Sequence, residues 1–165
     1  MIDPDRDCAL CPRLKTFIDE NRVKYPDWHN APVDTWVPSN GEGSVKLLIV
    51  GLAPGLKGAN CTGRPFTGDW AGDLLYGTML KFGFAEGIYA GHSDDSLQLK
   101  TAAITNAVRC VPPQNKPVGA EINQCRQFLT TTLRRFSNLA GIMTLGRISH
   151  ESTVRALGYL SLIHI

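Results

Sequence analysis

Three kinds of side chain in this sequence could do chemistry: one acid closing a glycine-rich stretch, one carboxamide in an apolar run, and four spaced cysteines. The stretch GLAPGLKGANCTGRPFTGD, residues 51–69, has five glycines, two prolines and a single acid, Asp69. It is not a phosphate loop. Walker A needs G-x4-G-K-[ST], whereas Lys57 here precedes Gly58 and Ala59 follows it, and the dinucleotide fingerprint G-x-G-x-x-G is missing. What remains is backbone brought close to something flat or bulky at Gly51, Pro54, Gly55 and Gly58. A second clamp, GRPFTGD, then carries an aromatic ring, Phe66. An aromatic in a glycine-lined pocket suits stacking on a ring such as a nucleobase. Its competing role is that of an ordinary core residue under a loop.

Asn106, in ITNAVRC, gives such a pocket a reader. A carboxamide presents one acceptor and two donors in a plane, which matches a pyrimidine edge in a bidentate way. Inside a buried strand it needs partners, and local backbone groups are the alternative to a ligand. Cys8 and Cys11 form CALC in a polar segment, where burial does not explain them. Cys110 closes the apolar run and Cys125 follows fourteen intervening residues later. Four thiolates can hold a tetrahedral zinc or an iron–sulfur cluster. One C-x2-C followed by two lone cysteines departs from the paired C-x2-C of zinc ribbons, which favours a cluster and leaves zinc open. Cys110 and Cys125 could also be small buried hydrophobes. Cys61 reads as a small loop residue.

The elements that must position these groups follow from the apolar pattern. The chain has 165 residues, 43% hydrophobic and 19% charged, which suits one domain, residues 1–165, with a proper core. Residues 46–54, 102–110 and 140–147 read as buried strands, the first two running into the loop and the carboxamide. Residues 72–84, 119–136 and 148–158 read as helices, the last with Gly158 as C-cap. Strands alternating with helices predict an α/β fold, a parallel sheet with helices on both faces, whose ligands sit beyond the carboxyl ends of the strands. Residues 20–43 read as an irregular arm over the domain edge. No apolar run approaches the ~20 residues of a membrane span, and the N-terminus lacks the order of a secretory signal. A soluble, cytoplasmic monomer is therefore expected, and the formal charge of +2 permits an acidic partner without arguing for one. The ending GYLSLIHI leaves one sheet edge uncovered and suggests an incomplete C-terminus.

GLAPG, GRPFTGD, ITNAVRCVPPQNKP, CALCPRL and the distant Cys125 together resemble the iron–sulfur uracil-DNA glycosylases, most closely the family 5, or type B, branch. Family 4 usually reads G-E-A-P-G in the first loop, where this chain has Leu52. The resemblance implies a three-layer α/β/α sandwich around a small, mainly parallel sheet. It implies a structural four-iron, four-sulfur cluster on Cys8, Cys11, Cys110 and Cys125. It also implies hydrolysis of the N-glycosidic bond of uracil in DNA, with hypoxanthine and xanthine as further bases that a permissive family 5 pocket would take. Phe66 would stack on the flipped base and Asn106 would bond its edge. Backbone N–H groups of Gly51, Leu52, Ala53 and Gly55 would bind the base oxygen as negative charge grows. Asp69 would stabilise the oxocarbenium sugar or orient water. It competes with itself as an N-cap for the next helix, and the two roles are expected to alternate. Two departures stand out: nothing after Gly158 resembles the family's His-containing loop, and Cys61 replaces a basic residue. His150 reads as surface or cap. The alternative function is a catalytically impaired nucleic-acid-binding fragment that keeps the pocket.

Overall fold

A computed structural model describes residues 3–159. Its elements in chain order are α1 (Pro12–Lys24), β1 (Leu47–Gly51), α2 (Ala59–Thr62), α3 (Trp70–Lys81), β2 (Ala85–Glu86), β3 (Gln98–Leu99), β4 (Ala102–Asn106), α4 (Gly119–Arg135), β5 (Gly141–Thr144) and α5 (Arg147–Ala156). β1 lies at the centre of a three-stranded parallel sheet of order β4-β1-β5, and β2 and β3 form a separate antiparallel pair.

The period-two alternation of β1 divides the core. Leu48 and Val50 pack with Ala103 of β4 against Leu129 and Leu133 of α4. Ile49 points the other way, joining Ala102 and Ile104 beneath Tyr76 and Met79 of α3 and Leu97 and Leu99 of the hairpin. Helices thus cover both faces, giving the expected three layers. Each fully buried leucine, isoleucine or valine among these contributes roughly 1.5–3 kcal/mol of transfer free energy, so the sheet is the rigid part on which the loops stand.

Several expected boundaries shift. The second strand ends at Asn106, four residues before Cys110. There the chain leaves the ladder, although the N–H groups of Ala107 and Val108 still donate to Gly51 O and Leu52 O. The helix after the glycine stretch starts at Trp70 because Asp69 caps it. α1 runs to Lys24, so the irregular arm begins at Tyr25. Its apolar positions Leu14 and Ile18 are buried among charged neighbours whose spacing does not stand out as a helical stripe. The arm does cover an edge: Trp36 exchanges backbone hydrogen bonds with Ile104 along the outer side of β4. Cys61 belongs to the short helix α2 rather than a loop. Gly158, with φ +87°, sits just past the C-cap of α5 in the left-handed region where glycine is favoured. Of the ending GYLSLIHI, residues 160–165 lie outside the described residues. The third expected strand is shorter than residues 140–147 and is not buried: β5 is paired on one side only among the described residues, and its Met143 is 42% exposed. No helix among them is long and apolar enough to cross a membrane.

Candidate active site and cysteine cavity

The carboxyl ends of β1 and β4 carry the pocket. Gly51 and Asn106 are register partners at the tips of the two strands. The loop leaving β1 folds over them, and Ala53, Pro54, Gly55, Ala59, Phe66, Asp69 and Asn106 line a narrow inner pocket. This pocket shares Ala53, Gly55, Phe66 and Asp69 with an open groove of about 690 Å³, whose other walls include Leu52, Trp70, Leu74 and Met143. Six of the seven residues expected to act on a substrate are therefore brought together as lining. The seventh, Gly51, forms the floor. A side chain there would stand 2.5 Å from Phe66 Cζ and closer still to Asn106 Oδ1. Only glycine lets the ring and the carboxamide meet over the strand end.

Asn106 is 3% exposed, and among the described residues no protein group hydrogen-bonds its carboxamide. The carboxamide is not among the fully buried unpaired groups of the described residues and lines the pocket instead, so its hydrogen-bonding capacity is directed at the pocket rather than at local backbone. The N–H groups of Leu52, Ala53 and Gly55 also donate to no protein acceptor among the described residues. The site thus offers a planar amide, free backbone donors and an aromatic face, an arrangement suited to a flat, oxygen-bearing ring on which negative charge can grow.

Asp69 resolves the expected competition differently. Its Oδ1 accepts from Gly72 N at 3.0 Å and caps α3. Its Oδ2 turns toward the glycine loop, 2.8 Å from where a Cβ on Gly58 would stand and 3.7 Å from one on Gly55. One oxygen caps the helix and the other is left facing the loop, so capping does not use up the carboxylate.

Phe66 has φ +52°, a strained conformation for an aromatic residue. Side chains absent from the sequence reading surround it. Tyr76 donates its hydroxyl proton to Pro65 O, and Tyr89 donates to Phe66 O at 3.4 Å. Gly72 packs so tightly against Phe66 O that any Cβ there would overlap it. Arg64 is buried and forked onto Asp95. Arg64 lies inside the recognisable GRPFTGD, but Asp95 sits in the polar tract GHSDDS, and no periodicity joins the two. His150 is half-buried in α5 and lines neither the inner pocket nor the groove.

Cys8, Cys11, Cys110 and Cys125 all line one cavity with Pro4, Leu10, Leu14, Gln124 and Phe128, while Cys61 stands apart from it. Cys11 is the N-cap of α1, and Cys125 lies one turn beyond Glu121 in α4. Arg13 clamps the two helices by donating to both Glu121 oxygens at 2.7 and 2.9 Å. Burial first, then the neighbouring Cys125, Glu121 and Cys8, push the Cys11 thiol up to about 11. Burial followed by the same cysteine neighbours raises Cys110. Burial also raises Cys125, against the Arg109 N–H that donates to its Sγ at 3.3 Å. Thiols so placed ionise together only with added positive charge. No three His, Cys, Asp or Glu side chains among the described residues converge on a single ion position. The same apolar cluster that holds the cysteines reaches Ala53 and Leu56 of the glycine loop, which couples the cavity to the pocket.

The profile of the Uracil DNA glycosylase superfamily matches residues 38–164. The chain belongs to this superfamily. It is 35% identical over 160 residues to a type-5 uracil-DNA glycosylase of Thermus thermophilus, covering 95% of this chain and 72% of that protein. It is 36% identical over 159 residues to a type-5 enzyme of Mycobacterium tuberculosis, covering 92% and 58%. A type-4 uracil-DNA glycosylase of Pyrobaculum aerophilum is 32% identical over a shorter 123 residues, 74% of this chain and 55% of that protein. The type-5 relatives agree with the resemblance to the type-5 branch.

Proposed function

We propose that this chain is a uracil-DNA glycosylase that hydrolyses the N-glycosidic bond of uracil in DNA and leaves an abasic site. The observation that carries the reading is Asn106: a carboxamide 3% exposed, without a protein partner among the described residues, beside an aromatic ring and free backbone donors. A base inside a duplex is unreachable, so the nucleotide must flip out at a cost of about a few kcal/mol, least for a mispaired uracil. Phe66 stacks on the extruded ring. Asn106 donates from Nδ2 to the uracil O4 and accepts at Oδ1 from its N3–H. As the bond from C1′ to N1 breaks, its electron pair leaves with the base, and the loop N–H groups meet the charge growing on O2. Asp69 Oδ2 faces the opposite charge, the oxocarbenium sugar, and orients the water whose oxygen bonds to C1′. The water's proton is released to solvent or to the departing base.

Cys8, Cys11, Cys110 and Cys125 would hold a four-iron, four-sulfur cluster, whose chemistry here is the binding of four thiolates by cationic iron. Four thiols from three chain segments line one cavity, which is the donor set that such a group would need. By joining the N-terminal turn, α4 and the segment after β4, these residues brace the strand end that carries Asn106. The protein is proposed to act as a cytoplasmic monomer on DNA containing deaminated bases. Incubating the cluster-loaded chain with duplexes bearing uracil, hypoxanthine or xanthine tests the function and its breadth. Release of uracil is expected. Binding to the uracil duplex without release of any base would instead mark a nucleic-acid-binding protein.

A further inference from the structure

Two loops that are distant in sequence are locked together behind Phe66. Arg64, 7% exposed, donates from Nη1 and Nη2 to the two Asp95 oxygens at 2.7 and 2.8 Å, from Nη2 to His92 O at 2.8 Å, and from Nε to Thr67 Oγ1 at 2.7 Å. Its guanidinium lies 4.8 Å above the Trp36 ring. Asp95 in turn accepts from Ala90 N at 2.9 Å and Leu97 N at 3.1 Å, which organises the loop between β2 and β3. A planar, forked cation fixes direction as well as distance, which a point charge does not.

The residue enclosed by these contacts is Phe66. Arg64 and Thr67 are tied to each other on either side of it, Pro65 O is held by Tyr76, and Phe66 O is held by Tyr89 from the same inter-strand loop. Phe66 itself keeps a positive φ of 52° and only partial burial. A conformation that an aromatic residue avoids persists only where its surroundings over-determine it.

We propose that the buried Arg64–Asp95 pair is a positioning pair for base recognition, acting through Phe66 by holding its backbone in the left-handed region so that the ring faces the pocket. This rests on the reading of Phe66 as the base-stacking residue, and it gives the loop between β2 and β3 a part in the reaction although that loop lines neither the inner pocket nor the groove. Asp95 held far below the usual carboxylate range, chiefly by the hydrogen bonds from Arg64, agrees with a permanently charged pair.

The test compares Asp95→Asn and the gentler Thr67→Val, which removes the Nε acceptor and the longer hydroxyl donation to Pro65 O at 3.3 Å but leaves the Arg64–Asp95 fork, in the native sequence and in a Phe66→Leu background. The chain is loaded with its cluster and labelled with fluorophenylalanine. In the native background each variant is expected to slow single-turnover release of uracil by about tenfold or more. In the Phe66→Leu background the further loss should shrink to within about twofold, because the ring through which the pair acts is gone. The fluorine resonance of Phe66, assigned by its absence in Phe66→Leu, should shift or broaden in both variants while the other phenylalanine lines hold. Equal losses in both backgrounds, or an unmoved Phe66 resonance in folded Thr67→Val, would overturn the proposal. A native chain that releases no base would refute the glycosylase reading alone, since the fluorine spectrum still decides whether the pair positions Phe66.

Discussion

Gly51→Ala puts the geometry of the pocket under the most direct strain. The added Cβ would stand 2.5 Å from Phe66 Cζ and 2.9 Å from Cε2, with Asn106 Oδ1 nearer than either. Tolerable contacts begin at about 3.4 Å, so the ring and the carboxamide must each retreat by about 1 Å. The strand cannot absorb the shift, because Gly51 is bonded in register with Asn106 and its carbonyl accepts from Ala107 N at 2.8 Å. A displacement of about 1 Å in a positioning group costs on the order of 100-fold in rate, equivalent to about 2.7 kcal/mol of transition-state stabilisation. Overpacking at a buried site also costs about 1–3 kcal/mol of stability, less here if the ring swings into the groove. The assay is single-turnover release of uracil from an end-labelled duplex, read by alkaline cleavage at the abasic site, alongside thermal unfolding. A hundredfold slower release in a folded protein is the expected outcome. Release within twofold of the native rate would refute the claim that Phe66 and Asn106 act from the positions described.

Three further outcomes follow from the same geometry. Asp69→Asn keeps an oxygen for Gly72 N, so it should lose about 100-fold in release with little change in melting temperature, whereas Asp69→Ala should lose activity and about 1 kcal/mol of stability. Thermal melts and release rates on the two variants separate cap from chemistry. Cys125→Ser should abolish iron and acid-labile sulfide binding and lower the melting temperature, by about 2–4 °C for each kcal/mol lost, while Cys61→Ser, outside the cavity, should retain its iron. Hydrogen bonds from Arg64 hold Asp95 well below the usual carboxylate range. The stability this gives is full above an unfolded value of about 3.9 and declines as pH falls toward the folded value. Native protein should therefore unfold less readily than Asp95→Asn at neutral pH and lose that advantage below about pH 4, measured by denaturant unfolding across the acid range.

Strands and helices were legible because the sheet is a repeat of one physical problem. The apolar runs at residues 46–54 and 102–110 each hold a strand buried on both sides that ends at Gly51 or Asn106, whereas the run at 140–147 holds the half-buried edge strand β5, whose Met143 is 42% exposed. The pocket residues were legible for a related reason: an unpaired carboxamide and a run of glycines are costly in a core, so they stand out against it. The hairpin of β2 and β3, two residues a strand, is too short to show alternation. α1 was obscured because its buried Leu14 and Ile18 are separated by charged residues that pair on the surface, such as Lys15 with Asp19. The supports of Phe66 were invisible for a different reason. Arg64 and Asp95 are 31 residues apart, and a buried ion pair between two loops leaves no periodic trace. The sequence shows an acid at a helix start but not how its two oxygens divide: Asp69 caps with Oδ1 alone.

Asn106 keeps its carboxamide for the edge of a uracil in the proposed reaction. The direct measurement is chromatographic detection of free uracil after the cluster-loaded native chain and its Asn106→Leu variant, similar in size but unable to hydrogen-bond, meet a duplex containing one uracil. The account predicts stoichiometric release by the native chain and a loss of at least about 100-fold in the variant. Equal release by the two, or none by the native chain, would contradict it.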